Sequence, residues 1–158
     1  KHLKIDLGAG DSRDGESSPE GYLKQDVDAN IPGIDLVCNI DKLDTVLKPE
    51  SCTIIRASHV IEHFPTAQIP SIMTMIYSLL EPEGTFEVIV PNFLYHMDLC
   101  LMGEEEKAIY YAFGGQLDEW DFHKTAFTPK IIRRRLEEAG FIVVHLDDSS
   151  SITAIAQK

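Results

Sequence analysis

The stretch Lys4-Ile5-Asp6-Leu7-Gly8-Ala9-Gly10-Asp11 constrains the rest of this chain more than any other. A short apolar strand runs into two glycines with one small residue between them. Glycine has no Cβ and reaches positive φ cheaply, so Gly8 and Gly10 let the chain turn sharply and bring backbone N–H groups against a ligand. In an open α/β sheet the carboxyl end of such a strand is where a nucleotide-like ligand sits. The dinucleotide fingerprint G-x-G-x-x-G lacks its third glycine here, since Ser12 and Arg13 follow Gly10 by two and three residues. A pyrophosphate reading is weakened accordingly.

Sixteen residues past Gly10 stands Asp26, near the end of a second short segment running from Tyr22 to Val27. An acid in that place can accept hydrogen bonds from both ribose hydroxyls of an adenosine group. Further runs follow at 35–41 (DLVCNID), 57–63 (ASHVIEH), 80–85 (LEPEGT) and 88–91 (VIVP). With D-L-G-A-G and Q-D-V-D they cover nearly the whole chain, and in this order they resemble Rossmann-like class I S-adenosylmethionine-dependent methyltransferases. The likeness is to a small bacterial group of predicted methyltransferases of the type 11 kind.

The resemblance implies an α/β fold with a mostly parallel seven-stranded sheet, order 3-2-1-4-5-7-6, the last strand antiparallel. It also implies a site. Gly8, Ala9 and Gly10 would hold the methionine end of S-adenosylmethionine through their amides, and Asp6 would orient that loop and meet the ammonium. Asp26 would hold the ribose. Val27 and Ile40 would sandwich the adenine, with Asn39 or Asp41 at its amino group, and Ser58 and His59 would line the cleft. The product would be S-adenosylhomocysteine, and no metal is called for.

At 158 residues the chain is long enough for one domain with a real core. Hydrophobic residues at 44% and charged ones at 25% are ordinary globular values. No apolar run approaches the roughly 20 residues of a membrane span, and no basic segment followed by an apolar one marks export, so the expectation is a cytoplasmic protein. A net charge of −12 disfavours nucleic acid and anionic membranes as partners. The basic cluster of Lys130 and Arg133 to Arg135 reads as a solvated helix face paired with Glu137 and Glu138. Cys38, Cys52 and Cys100 are widely spaced and read as buried thiols in a reducing compartment. The expected state is a monomer or homodimer acting on a small molecule.

Periodicity and turn chemistry place the elements. Leu3 to Leu7 is the first strand, 35–40 the third and 52–57 the fourth. The segment 11–21 holds two glycines, a proline and three serines and makes a poor helix. Apolar residues recur at helical spacing over 67–80, with Met73 and Met75 as core or surface filler. The fifth strand is placed at 85–90, the last helix at 129–139 between Thr128 and Gly140, and two closing strands at 141–146 and 152–156.

Residues 92–127 are not needed to complete the sheet. They hold eight of the thirteen aromatics and include a helix at 104–113. Such a segment overhangs the carboxyl ends of the central strands. It reads as a helical cap over the acceptor pocket, with Tyr111 and Trp120 as apolar walls, or as a satellite core gluing helices onto the sheet. Its run Asp121-Phe-His-Lys124 places His123 as proton acceptor or as loop anchor. His59-x-x-Glu62-His63 matches the H-x-x-E-H pattern of zinc peptidases. That chemistry needs both histidines on one helix face, and Pro65 leaves no helix long enough. The function implied is methyl transfer to an oxygen or nitrogen of a small molecule, such as a sugar or related metabolite, with His123 and His59 as catalytic candidates. A non-catalytic cofactor-binding module and an NAD(P)-dependent oxidoreductase are the alternatives.

Overall fold

The computed structural model describes residues 2–10 and 17–158; most of the glycine- and serine-rich 11–21 connection lies outside them. Seven strands form one sheet in the order β3-β2-β1-β4-β5-β7-β6. They are β1 (Leu3–Leu7), β2 (Leu23–Asp26), β3 (Leu36–Val37), β4 (Cys52–Ser58), β5 (Leu80–Pro91), β6 (Ile142–Asp148) and β7 (Ser151–Gln157). Neighbours pair in parallel from β3 to β5. β7 runs antiparallel to both β5 and β6, as expected for this sheet plan.

Among the described residues five α-helices accompany the sheet: α1 (Leu43–Val46), α2 (Ile69–Leu79), α3 (Phe93–Leu101), α4 (Glu105–Phe113) and α5 (Pro129–Glu138). Along α2, Ile69, Ile72, Met73, Ile76 and Leu79 fall on one face and are fully buried. Each such side chain contributes about 1.5–3 kcal/mol of burial. α5 starts where the Thr128 hydroxyl accepts the Ile131 N–H at 3.3 Å, and it packs beside α2. Phe86, Val88 and Val90 of β5 and Ile152, Ala154 and Ala156 of β7 complete this core. Arg133–Glu137 and Arg134–Glu138 are exposed ion pairs one turn apart, the solvated face read from sequence.

Three elements and one cysteine differ from expectation. β3 stops at Val37 because Asn39 leads into a 3-10 turn at Ile40–Lys42 and then α1. β5 begins at Leu80, five residues early: Leu80 pairs with Cys52 and Thr85 with Ile54, so 81–84 bulge from the ladder around Glu83 at φ 66. α3 was not foreseen, although Asn92 after Pro91 is its signal, accepting the Leu94 N–H on its side chain at 3.1 Å. Cys100 is exposed rather than buried; Cys52 is buried, Cys38 partly so, and all three are free thiols. Among the described residues no helix is long and apolar enough to cross a membrane.

Candidate active site at the carboxyl ends of the central strands

The turn after β1 is a glycine turn for two reasons. Gly8 and Gly10 lie at φ 59 and 57, where a side chain is strained. At Gly8 a Cβ would also overlap the Val60 side chain. The amides of this turn, however, do not reach out to a ligand. Gly8 N–H donates to Gln25 Oε1 at 3.0 Å, Ala9 N–H to the Gln25 carbonyl at 2.9 Å and Gly10 N–H to Asp26 Oδ2 at 2.9 Å. The expected capture of a carboxylate by these amides is therefore corrected: the donors are already used, and the glycines serve the positive φ of the turn and, at Gly8, close approach.

Gln25, which the sequence reading passed over, organises this wall. It is buried, and its Nε2 donates to the Cys38 carbonyl at 2.6 Å, tying the turn to the end of β3. The signal was there: a polar residue on a short strand buried by its neighbours needs partners for every polar atom. Asp6 sits beneath, 3% exposed. It accepts from Arg56 at 3.0 Å and from the Ser18 hydroxyl at 2.6 Å, and Glu87 stands 3.7 Å from Arg56. Asp6 thus braces the loop from below and does not line the cleft.

Above the turn lies a cleft of about 390 Å³, within the range of small-molecule sites. One wall carries Gly8, Asp26, Val27, Asn39, Ile40 and Asp41. Ala9, Gly10 and Ser58 stand next to this surface without lining it. Asp26 accepts the Gly10 amide on one oxygen and the Asp28 amide on the other, at 3.0 Å, so each oxygen keeps a lone pair. Asp41 Oδ1 is buried without a hydrogen-bond partner. A buried acceptor left so costs about 1–3 kcal/mol, which a donor from a ligand would remove.

The opposite wall carries His59, His63, Trp120 and Lys124. His59 follows β4 at φ 52, a conformation that costs a non-glycine residue about 1 kcal/mol. Its amide donates to the Ile89 carbonyl at 2.9 Å, and its Nδ1 lies 3.6 Å from Glu62 Oε1. Ile61–His63 is one 3-10 turn, so the H-x-x-E-H run presents no helix face.

What the sequence reading missed is that this turn meets the cap. The Glu62 carbonyl accepts the Lys124 and Thr125 amides at 2.8 and 3.1 Å, and the Thr125 hydroxyl donates to the Phe64 carbonyl at 2.7 Å. His63 Nδ1 donates to the Phe122 carbonyl at 3.1 Å. His123 stands beside His63, ring centroids 5.1 Å apart, and Glu62, His63 and His123 bring one donor atom each within 4.8 Å of one another. These contacts link residues some sixty positions apart, which no local motif announces.

His123 itself is tied down: its amide donates to the Phe113 carbonyl at 3.0 Å and its Nδ1 to the Tyr111 carbonyl at 2.9 Å. Burial pushes its pKa below the ordinary histidine value, opposed by the nearby Glu62 carboxylate. Tyr111 is turned away from the cleft and stacks on His96 at 5.9 Å. Trp120 does reach the cleft. It rides on a loop closed by Gln116 N–H to the Asp121 carbonyl and by Trp120 N–H to Asp118 Oδ1. Gly114, at φ 82, passes so close to the Asp121 carbonyl that a Cβ would overlap it.

A family model described as a methyltransferase domain matches residues 5–146. The chain belongs to this family. Its sheet has the Rossmann-like plan of class I methyltransferases. The methyltransferase fold is shared with solved structures of low identity. An S-adenosylmethionine-dependent methyltransferase from Archaeoglobus fulgidus matches with TM-score 0.69 at 14% identity, over 99% of this chain and 86% of that one. One from Mesorhizobium loti matches with TM-score 0.65 at 14% identity, over 99% and 90%. The 1,6-didemethyltoxoflavin-N1-methyltransferase of Burkholderia thailandensis, solved with that molecule and S-adenosylhomocysteine, matches with TM-score 0.64 at 16% identity, over 99% and 72%. Curated proteins give no sequence match.

Proposed function

We propose that this methyltransferase carries the methyl of S-adenosylmethionine to an oxygen or nitrogen of a small molecule, in class a sugar or related metabolite. The observation that carries this is the donor wall of the cleft, where Asp26, the apolar pair Val27 and Ile40, and the unpartnered Asp41 Oδ1 line one cavity above the glycine turn. Asp26 holds the ribose hydroxyls with its remaining lone pairs. Val27 and Ile40 flank the adenine, and Asp41, with Asn39 beside it, meets the amino group. Gly8 forms the surface against which the methionine portion lies, with Ala9 and Gly10 beside it, and Asp6 holds this turn in place through Arg56 and Ser18.

The cofactor supplies a sulfonium, already an excellent leaving group, so the protein's part is alignment and proton removal. The bound sulfonium would supply the methyl and leave as the thioether, and an acceptor held in line with it would give up a proton. His59, on the cleft wall, is placed to take it; His123 stands behind His63. Trp120 forms an apolar wall for the acceptor. That the Burkholderia neighbour methylates a small molecule supports the acceptor class.

The test is a thermal shift. S-adenosylhomocysteine at about a hundred times its dissociation constant stabilises the fold by about 2.7 kcal/mol, an increase of about 5–10 °C for a chain of this length. Asp26→Ala removes most of that shift with the fold intact. A shift produced by NAD and not by S-adenosylhomocysteine would overturn the reading in favour of an oxidoreductase.

A further inference from the structure

We propose that Glu62, His63 and His123 form a binding site for a divalent first-row transition-metal ion, set in the wall of the cleft between the β4 loop and the cap. Two imidazoles and a carboxylate are a borderline donor set that suits zinc, manganese or ferrous iron rather than magnesium or calcium. Their donor atoms lie within 4.8 Å of one another. Donors on a shared ion at about 2.0–2.2 Å stand about 3–4 Å apart, so a rotamer adjustment of about 1 Å closes the site.

Two features set this cluster apart from a chance grouping. Glu62 is 1% exposed, and neither of its carboxylate oxygens has a hydrogen-bond partner. The closest charge partner is His59 Nδ1 at 3.6 Å. A carboxylate buried in that way is costly without a cation or donors to satisfy it. The second feature is the orientation of both rings. A carbonyl oxygen only accepts, so the bonds from His63 to Phe122 and from His123 to Tyr111 put the hydrogen of each ring on Nδ1. Each ring is thereby left with the Nε2 lone pair that a metal requires, and with the backbone carbonyl partner that holds metal-ligating histidines in place. The H-x-x-E-H run does supply ligands, then, but from a single 3-10 turn with the third donor contributed by the cap.

His63 also lines the cleft, so a ligand there can reach the ion. This part rests on the methyltransferase reading: an ion at this wall favours an acceptor with a hydroxyl, which it would orient and acidify. His123 then acts as a ligand, and proton removal falls to His59.

The experiment is metal binding by chelator-stripped protein, with no cofactor present, using Zn²⁺ in competition with a chromophoric chelator and Co²⁺ for its visible absorption. One equivalent is expected. Glu62→Gln, His63→Ala and His123→Ala should each weaken binding by about 10–100-fold or more, whereas His2→Ala and Cys100→Ser should leave it unchanged. Absence of stoichiometric binding, or affinity undiminished in His63→Ala and His123→Ala, overturns the site. The S-adenosylhomocysteine thermal shift is measured separately on the same protein. A metal failure with that shift intact removes this site alone, and the converse removes the cofactor reading alone.

Discussion

The two walls of the cleft are built by different means. The donor wall is main chain held from below: Gln25 and Asp26 fix the three amides of the glycine turn, and the buried Asp6–Arg56 pair sits under them. Its partners come from strands adjacent in the sheet. The cap wall consists of side chains carried on loops, and its order comes from hydrogen bonds joining 122–125 to 62–64 and from the His123–Tyr111 bond within the cap. The cap that carries it leaves Leu101, Met102, Tyr110, Phe113, Leu117 and Trp120 exposed, and of these six Trp120 lines the cleft. A rigid wall for an invariant cofactor and an adaptable one for the acceptor is the division of labour this contrast suggests.

If the donor wall is rigid because of its buried charges, breaking them should have the largest effect. Arg56→Met leaves Asp6 buried without its cation, an error worth about 3–5 kcal/mol. Urea melts measure it, and the double variant Asp6→Asn with Arg56→Met should lose clearly less than the two single losses added together. A loss under about 1 kcal/mol would show that Asp6 is hydrated and that the wall is not stiffened by this pair.

The next effect separates the two glycines. Gly8→Ala meets both a left-handed φ and the Val60 side chain, so it should cost about 2–4 kcal/mol. At Gly10→Ala the φ problem remains, while among the described residues, chain neighbours aside, the nearest atom to its Cβ is 3.8 Å away, so it should cost about 1 kcal/mol. Equal losses in chemical denaturation would mean that Val60 moves aside and that close packing under the cleft is not what the first glycine provides.

These positions show which parts of the molecule were readable in advance. The sheet order was legible through the family resemblance, and the place of Gly8, Asp26, Val27 and Ile40 on the cleft through local patterns whose meaning the fold supplies: a strand end, a glycine turn, an acid on the next strand. The use of the turn amides was not, since a free donor and one satisfied by Gln25 have the same sequence. The cap was legible only as a boundary and a composition. Whether Tyr111 faces the cleft or stacks on His96, and whether His63 meets His123, depends on how a loop sixty residues away docks. The short α3 was missed because the aromatic residues Phe93 and Tyr95 hid a start signalled by Asn92 alone.

Within the cap, His96 is the exception to looseness. It is 5% exposed, stacked on Tyr111 with Phe93 and Tyr95 at its edges, and burial, with His123 nearby, pushes its pKa below the ordinary value. Above the ordinary histidine range both folded and unfolded states are neutral here, and this group adds no pH dependence. As pH falls through that range the unfolded chain takes up a proton that the folded one resists, so stability drops until the lowered folded value is passed. The slope from one such group is at most about 1.4 kcal/mol per pH unit. His96→Phe should flatten that portion of the stability profile between pH 5 and 7 on the scale of about one proton; an unchanged profile would place His96 in contact with water and make the cap loose throughout.

The smallest expected effect on stability belongs to Trp120, the single tryptophan of the chain. Its side chain lines the cleft yet is 49% exposed, so it should behave as a wall and not as a core residue. Trp120→Ala should change the urea midpoint by no more than about 0.5 kcal/mol in stability terms, the scale of surface substitutions. Its fluorescence then becomes a direct report on the cleft. S-adenosylhomocysteine, or an acceptor entering beside it, replaces water around the indole and should shift the emission in proportion to occupancy. The midpoint of that shift should coincide with the midpoint of the thermal titration. A loss above about 2 kcal/mol on truncation would mean that the indole is packed in solution and that the cap closes on its own. An emission blind to ligand while the thermal shift persists would put Trp120 away from the bound molecule, and the acceptor wall would then have to be sought around His63 and Lys124.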